Sequence, residues 1–237
     1  MRFVSCITVV CLMLSAGPAA AEWFADVYVG QSFTKDSDVT VHSAPGQSVF
    51  RDVEFDRSLA YGGRFGRYFD SVPFLGLAVD YFNFSPRIGP QGVHVDGCVP
   101  GGGCGGGPGG TQKIAIESQA LSLDVMLRLP LLKTEAAPYG ALQLYVLGGT
   151  PLFITTITPR TTALFRNHQD DTDFSFGYKF GGGLAFHIFR NLMLFGEYRY
   201  SHVEVSAGDL DGADNGRARF KTDLDTHSAL VGISARW

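Results

Sequence analysis

Residues 120–130 read ALSLDVMLRLP, an apolar stretch interrupted by two opposite charges, Asp124 and Arg128. Side chains of a β-strand point alternately to its two faces. Read that way, Ala120, Ser122, Asp124, Met126 and Arg128 share one face, and Leu121, Leu123, Val125, Leu127 and Leu129 own the other. Both charges fall on one side among mostly small residues, and the opposite side is continuously oily.

The same division recurs along the chain. Asp26, Tyr28 and Gly30 oppose Ala25, Val27 and Val29, and Arg64 lies with Ala60, Gly62 and Gly66 against Leu59, Tyr61 and Phe65. Asp80 lies with Gly76 and Ala78 against Leu77, Val79 and Tyr81, and Lys179 with Gly177, Gly181 and Gly183 against Phe176, Tyr178, Phe180 and Leu184. Glu197 and Arg199 oppose Tyr198 and Tyr200, while Arg236, Ser228, Gly232 and Ser234 oppose Ala229, Val231 and Ile233. This period of two predicts eight strands, near 22–33, 53–68, 74–85, 113–130, 137–150, 173–188, 191–206 and 219–237. Amphipathic helix spacing is almost absent.

The connections alternate in length: long at 34–52, 86–112, 151–172 and 207–218, short at 69–73, 131–137 and 189–191. That rhythm predicts an all-β fold, an eight-stranded antiparallel up-and-down barrel with long loops on one rim and tight turns on the other. A soluble barrel would turn the bulky face inward. Eight strands enclose a bore just wide enough for packed side chains, and Leu, Phe and Tyr at every position would overfill it. Few charges among Gly, Ala and Ser suit a narrow lumen better than a solvated surface. The leucine face is therefore assigned to lipid, which makes the barrel transmembrane, and the charged face to the axis.

The axial charges are then Asp26, Asp80, Asp124 and Glu197 against Arg64, Arg128, Lys179, Arg199 and Arg236. Buried charges must pair, because an unpaired one costs several kcal/mol, so an internal ladder of salt bridges is expected. Its simplest role is to seal and specify the lumen; a narrow conducting path for small solutes is the alternative. Trp23, Tyr68, Phe69, Phe74, Tyr139, Phe189 and Trp237 near the turns, and Phe33, Phe82, Phe84, Phe153, Phe174, Tyr200 and Phe220 near the long loops, read as two interfacial aromatic belts.

The chain opens MRFVSCITVVCLMLSAGPAAA: a basic Arg2, an apolar core over 3–15 and small residues at 19–21. This is the pattern of a cleaved secretory signal peptide over 1–21, too short for a spanning helix, leaving the barrel over 22–237. Loss of Arg2 with it would move the net charge from −4 to −5, and no basic stripe offers itself to nucleic acid. Of the four cysteines only Cys98 and Cys104 would remain. In an exported protein a local disulfide is the first expectation for such a pair, set in what reads as a flexible glycine-rich loop tip. The chain ends at the last strand, so no further periplasmic domain is expected.

The ending THSALVGISARW, residues 226–237, resembles the terminal strand of Gram-negative outer-membrane barrels, which closes on an aromatic residue, here Trp237. With GYKFGGGLAF and FGEYRYS before it, the chain resembles the small outer-membrane protein A-like and opacity-type barrels. The resemblance implies residence in the outer membrane among phospholipid and lipopolysaccharide. It also implies insertion by the barrel assembly machinery, with the terminal strand and Trp237 as the signal. The family includes adhesins, anchors, small channels and a few lipid-modifying enzymes, so membership leaves the activity open.

Chemistry is sparse. A lipid deacylase on this scaffold needs His, a Ser two residues on and a nearby acid, but His202 is followed by Val203 and Glu204, and alternation sends Ser228 to the opposite face from His227. His187 shares the lumen parity. DLDGADNG, residues 209–216, hints at calcium, but Ala213 stands where a third ligand belongs; Asp170, Asp171 and Asp173 read as solvated. No catalytic, cofactor or metal residues are expected. The expected role is structural or interactive, four long loops being offered to an unidentified external ligand.

Overall fold

The computed structural model describes residues 22–43, 46–98, 103–111, 113–133, 140–159, 171–211 and 217–237. Eight strands form a wall: β1 (Trp23–Thr34), β2 (Ser58–Tyr68), β3 (Leu75–Phe84), β4 (Ile114–Leu131), β5 (Leu142–Pro159), β6 (Tyr178–Phe189), β7 (Leu192–Asp211) and β8 (Arg217–Arg236). Each pairs antiparallel with its neighbours in the chain. β1 and β8 then pair from Phe24↔Arg236 to Thr34↔Thr226, which closes the barrel and leaves no edge along the wall.

The alternation has a physical outcome. Outward Leu123 is 62% exposed and Val27 65%, whereas inward Asp80, Asp124 and Lys179 are wholly buried. A wall oily outside and ionic inside inverts the soluble arrangement and fits a hydrocarbon surround, where only a closed barrel satisfies every strand's backbone groups.

Strand ends depart from the periodic reading where pairing is long-range. The second strand begins at Ser58, not at 53; Phe55–Asp56 instead pairs with Arg87–Ile88. The run over 173–188 is broken at Gly177 into Asp171–Phe176 and β6, which pair in succession along β5. β5 itself continues to Pro159, into what reads as loop.

Two of the long connections are also ordered. Ser37–Ser43, Gly46–Val53, Gly92–Cys98 and Cys104–Gly110 form an antiparallel sheet in that order, joined to β8 through Arg219↔His42 to Thr222↔Val39. The glycine-rich segment, expected to be a flexible tip, is thus a strand. Backbone pairing needs no side chains, and glycine shows no face by which alternation could reveal it. Cys98 and Cys104 sit opposite each other in this hairpin and form a disulfide, their Cα atoms 4.2 Å apart. The expected signal peptide over 1–21, Tyr139, Asp170 and residues 212–216 of the last loop lie outside the described residues.

Candidate functional site

The lumen is built in layers by strand register. Asp26 stands directly across from Arg64, and Arg64 across from Asp80, on three successive strands. Asp124 faces Gly149, which faces Lys179. Because Gly149 has no side chain, Lys179 reaches across it to Asp124 at 2.9 Å and also pairs with Asp80. Arg64 binds Glu197 at 2.7 Å, Asp26 at 3.4 Å and Asp80 at 3.9 Å. Arg199 binds Glu197 at 2.6 Å and Asp80 at 3.2 Å. Hydroxyls complete the layer: Tyr28 donates to Asp80 at 2.5 Å, Tyr145 to Glu197 at 2.9 Å and Ser122 to Asp124 at 2.6 Å. Tyr145 fits because Gly183 lies beside it; a Cβ there would stand 2.7 Å from its hydroxyl.

A second cluster lies toward the tight turns. Arg128 and Arg236 both meet Glu22, the former as a close hydrogen-bonded pair and the latter at 3.7 Å. Arg128 also lies over the Tyr68 ring at 3.8 Å and donates to the Pro73 carbonyl at 2.8 Å. Glu22 is the residue the sequence reading missed. It shares the parity of Asp26, yet it stands one residue before the first strand. With it, the buried lumen charges among the described residues are five acids and five bases: Glu22, Asp26, Asp80, Asp124 and Glu197 against Arg64, Arg128, Lys179, Arg199 and Arg236.

Above the ionic layer, toward the long loops, the lumen packs an aromatic and aliphatic cluster among buried hydroxyls that pair with one another, Ser32 with Ser228 at 2.7 Å, Thr34 with Thr226 at 3.0 Å and Ser118 with Thr155 at 3.1 Å. Phe82 and Phe84 stack at 6.2 Å, and Phe153 meets both edge-on at 5.7 and 6.4 Å. Ile116, Ile157, Val203, Val205, Phe220 and Leu224 fill the space around and beyond them. Four residues assigned to the outer belt, Phe82, Phe84, Phe153 and Phe220, are therefore lumen filling, and Tyr68 of the inner belt is also inside. Their parity matches the charged face; position near a rim alone gave the wrong side. Phe33, Phe74, Phe174 and Phe189 do face outward, and Trp23, Phe65 and Trp237 stack in a row at the turn end.

On the outer face near the long loops, His202 and Tyr200 both contact Asp225, at 2.7 and 2.6 Å, and Tyr178 stacks on His202 at 4.9 Å. Tyr198 and His227 share a hydrogen bond at 2.6 Å. Asp225 is an acid partner that reading along the chain could not find, since β8 supplies it. Among the described residues no serine, threonine or cysteine side chain hydrogen-bonds either histidine; the hydroxyl on His227 is that of Tyr198. His187 stands half-buried at the turn rim with its ring against the Phe189 carbonyl. Asp173 accepts hydrogen bonds from Ser175 and from the Ser206 amide. Among the described residues no group of His, Cys, Asp and Glu is arranged to hold a metal.

A closed wall of eight strands, apolar outside and ionic within, defines an integral outer-membrane type of barrel. The family model "Outer membrane protein beta-barrel domain" matches residues 6–236, and the chain belongs to that family and to the outer membrane. Among solved structures the fold is similar to that of the outer membrane protein OprG from Pseudomonas aeruginosa, with TM-score 0.51, 15% identity, and 93% of this chain and 98% of that one covered. It is also similar to Neisserial surface protein A, with TM-score 0.49, 11% identity and coverage of 94% and 100%. OmpT, an outer membrane protease of Escherichia coli, matches with TM-score 0.48, 9% identity and coverage of 94% and 99%. At 15% identity the likeness to OprG is one of fold alone. No curated protein matches the chain.

Proposed function

We propose that this barrel is a sealed structural and surface-display protein, neither a channel nor an enzyme. The observation that carries the reading is the double filling of the lumen. The ionic layer sets each of its charges beside an opposite one and leaves no ring of one sign to select an ion. The aromatic and aliphatic side chains above it fill the bore, and buried hydroxyls among them are paired across strands. Outside, the sheet of Ser37–Ser43, Gly46–Val53, Gly92–Cys98 and Cys104–Gly110 gives the exterior rim an ordered, disulfide-closed surface on which a partner could dock. Insertion by the assembly machinery through the strand ending at Trp237 belongs to the same reading.

Purified, folded protein in planar bilayers tests it. Silence is the expected result, and steady unitary openings would replace the reading with that of a narrow channel. Incubation with lipopolysaccharide followed by mass analysis of its acyl chains addresses the enzyme. The chains should stay intact; losses abolished by His202→Ala would make the His202–Asp225 cluster catalytic and overturn the proposal.

A further inference from the structure

The strand Cys104–Gly110 is the last of the outer-rim sheet. On one side it pairs with the preceding strand, from Gly92↔Gly110 to Cys98↔Cys104. Among the described residues its other edge pairs with nothing. Register decides which backbone groups leave that edge. The Thr111 amide donates to the Gln91 carbonyl at 2.8 Å, and the pairing continues from there without a bulge. Bonded and non-bonded pairs alternate in an antiparallel ladder. Gly105, Gly107 and Gly109 therefore bond to the neighbouring strand, and Cys104, Gly106, Pro108 and Gly110 turn their backbone groups outward. The Cα separation of 4.2 Å between Cys98 and Cys104 agrees, since non-bonded pairs are the close ones.

Edge strands are ordinarily guarded by charged side chains or proline. This one carries no charge, and Pro108 removes one outward N–H while those of Cys104, Gly106 and Gly110 remain. Side chains of the preceding strand also reach the edge, because glycine leaves them room. A Cβ on Gly106 would stand 2.7 Å from Asp96 Oδ1 and 2.8 Å from His94 Nε2, which lie 3.2 Å from each other. Two carboxylates, Asp38 and Asp96, meet one guanidinium, Arg51, so this face keeps one negative charge in excess, counting His94 as neutral. On the opposite face Val95 leans over Gly109, where a Cβ would stand 2.4 Å from its methyl carbon.

Resting on the surface-display reading, we propose that this edge takes up an extended segment of a partner protein as one more antiparallel strand, a segment that alternates a basic residue with apolar ones. Main-chain hydrogen bonds to Gly106 and to the Pro108 carbonyl hold it, and the disulfide keeps the glycines extended to receive it. The residue opposite Gly106 points to the face of Asp96. Strands lie about 4.8 Å apart, so it stands about 10 Å from Asp96, and a lysine or arginine stem spans the space that Gly106 leaves. Its neighbours along the segment turn to the Val95 face and are apolar. A second copy in the same membrane does not fit. Two barrels side by side are related by an axis along the membrane normal, and tilted strands related in that way cross instead of pairing.

The test is fluorescence anisotropy of dansyl-labelled peptides with the folded protein in detergent. The probe is the peptide SVSVKVSVS, compared with the same peptide carrying glutamate for lysine and with one N-methylated at the lysine. The lysine peptide should bind about tenfold more tightly than the glutamate one, and N-methylation should abolish binding. Pro108→Ala restores an outward donor and should tighten binding about fivefold. Gly106→Pro removes one at a position an edge strand tolerates and should abolish it. Asp96→Asn should bring the lysine and glutamate peptides within about threefold of each other. Gel mobility before and after boiling establishes that the wall of each variant is folded, and the three-peptide comparison needs no variant. Equal binding of the lysine and glutamate peptides, full binding of the N-methylated one, or undiminished binding by folded Gly106→Pro would each overturn the assignment. A dimer in detergent that Gly106→Pro breaks up would give the edge to a second copy instead. Failed peptide binding leaves silence in planar bilayers as the separate test of the sealed lumen.

Discussion

Lys179 is wholly buried and bonded to two carboxylates, those of Asp80 and Asp124. Asp80 keeps Arg64 and Arg199 if Lys179 is removed, but Lys179 is the cation that reaches Asp124. Lys179→Met should therefore strand a buried carboxylate and cost about 3–5 kcal/mol, measured by urea unfolding in lipid vesicles. Adding Asp124→Asn should recover much of that loss, because it removes the stranded charge; a cost below about 1 kcal/mol for the single change would mean a watery lumen. Gly149→Ala attacks the same pair from between. A methyl there would stand 2.1 Å from the Asp124 carboxylate and 2.5 Å from the Leu123 carbonyl, backbone that cannot swing aside. The expected cost is about 1–3 kcal/mol by the same measurement. Parity alone put the nine predicted charges on one face, because alternation is a local property. Which charges meet across the bore is set by closure and register, and the chain does not spell those out. Glu22 beside Arg128 illustrates this in the bore, and Asp225 beside His202 shows the same dependence on register on the outer face.

At the level of elements, the wall was legible because each strand carries its own oily and small-residue faces. The sheet of Ser37–Ser43, Gly46–Val53, Gly92–Cys98 and Cys104–Gly110 was not, since it joins segments distant in the chain and one strand is almost wholly glycine. Its polar link is Arg51, which binds Asp38 at 2.7 Å and Asp96 at 2.8 Å and so ties three strands. The Arg51 hydrogen bond holds the Asp96 carboxyl below its ordinary value. A carboxylate depressed in the folded state stabilises above its unfolded pKa, and that contribution is lost as pH falls through the lowered value. The sheet should therefore be tightest at neutral pH and loosen in acid, weakly, because the pair is exposed and salt screens it. The carboxyl carbon shift of Asp96, followed by NMR in nanodiscs, should titrate at higher pH in Arg51→Ser; an unchanged midpoint would remove Arg51 from this role. Reduction of Cys98–Cys104 closes off a second support, worth about 2 kcal/mol for so short a loop. It should expose 92–110 to protease while the heat-dependent gel shift of the wall persists.

For the whole molecule, the decisive property is which way the barrel faces. The β4 wall presents Leu121, Leu123, Val125, Leu127, Leu129 and Leu131 outward in a line, with Val125 near the middle and Leu131 at the turn end. In water an exposed valine could become arginine at little cost, wherever it stood along the strand. In a bilayer the cost depends on depth, about 2–4 kcal/mol for arginine at the midplane and about 0–1 near an interface. Val125→Arg should accordingly lower the unfolding free energy in vesicles far more than Leu131→Arg, although neither side chain touches the lumen charges. Leu123→Arg should fall between them or near the larger value. Equal and small effects at all three positions would show that the wall faces solvent. In that case the burial of ten lumen charges would lose its rationale, because only a hydrocarbon exterior makes an oily outside and an ionic inside the more stable arrangement.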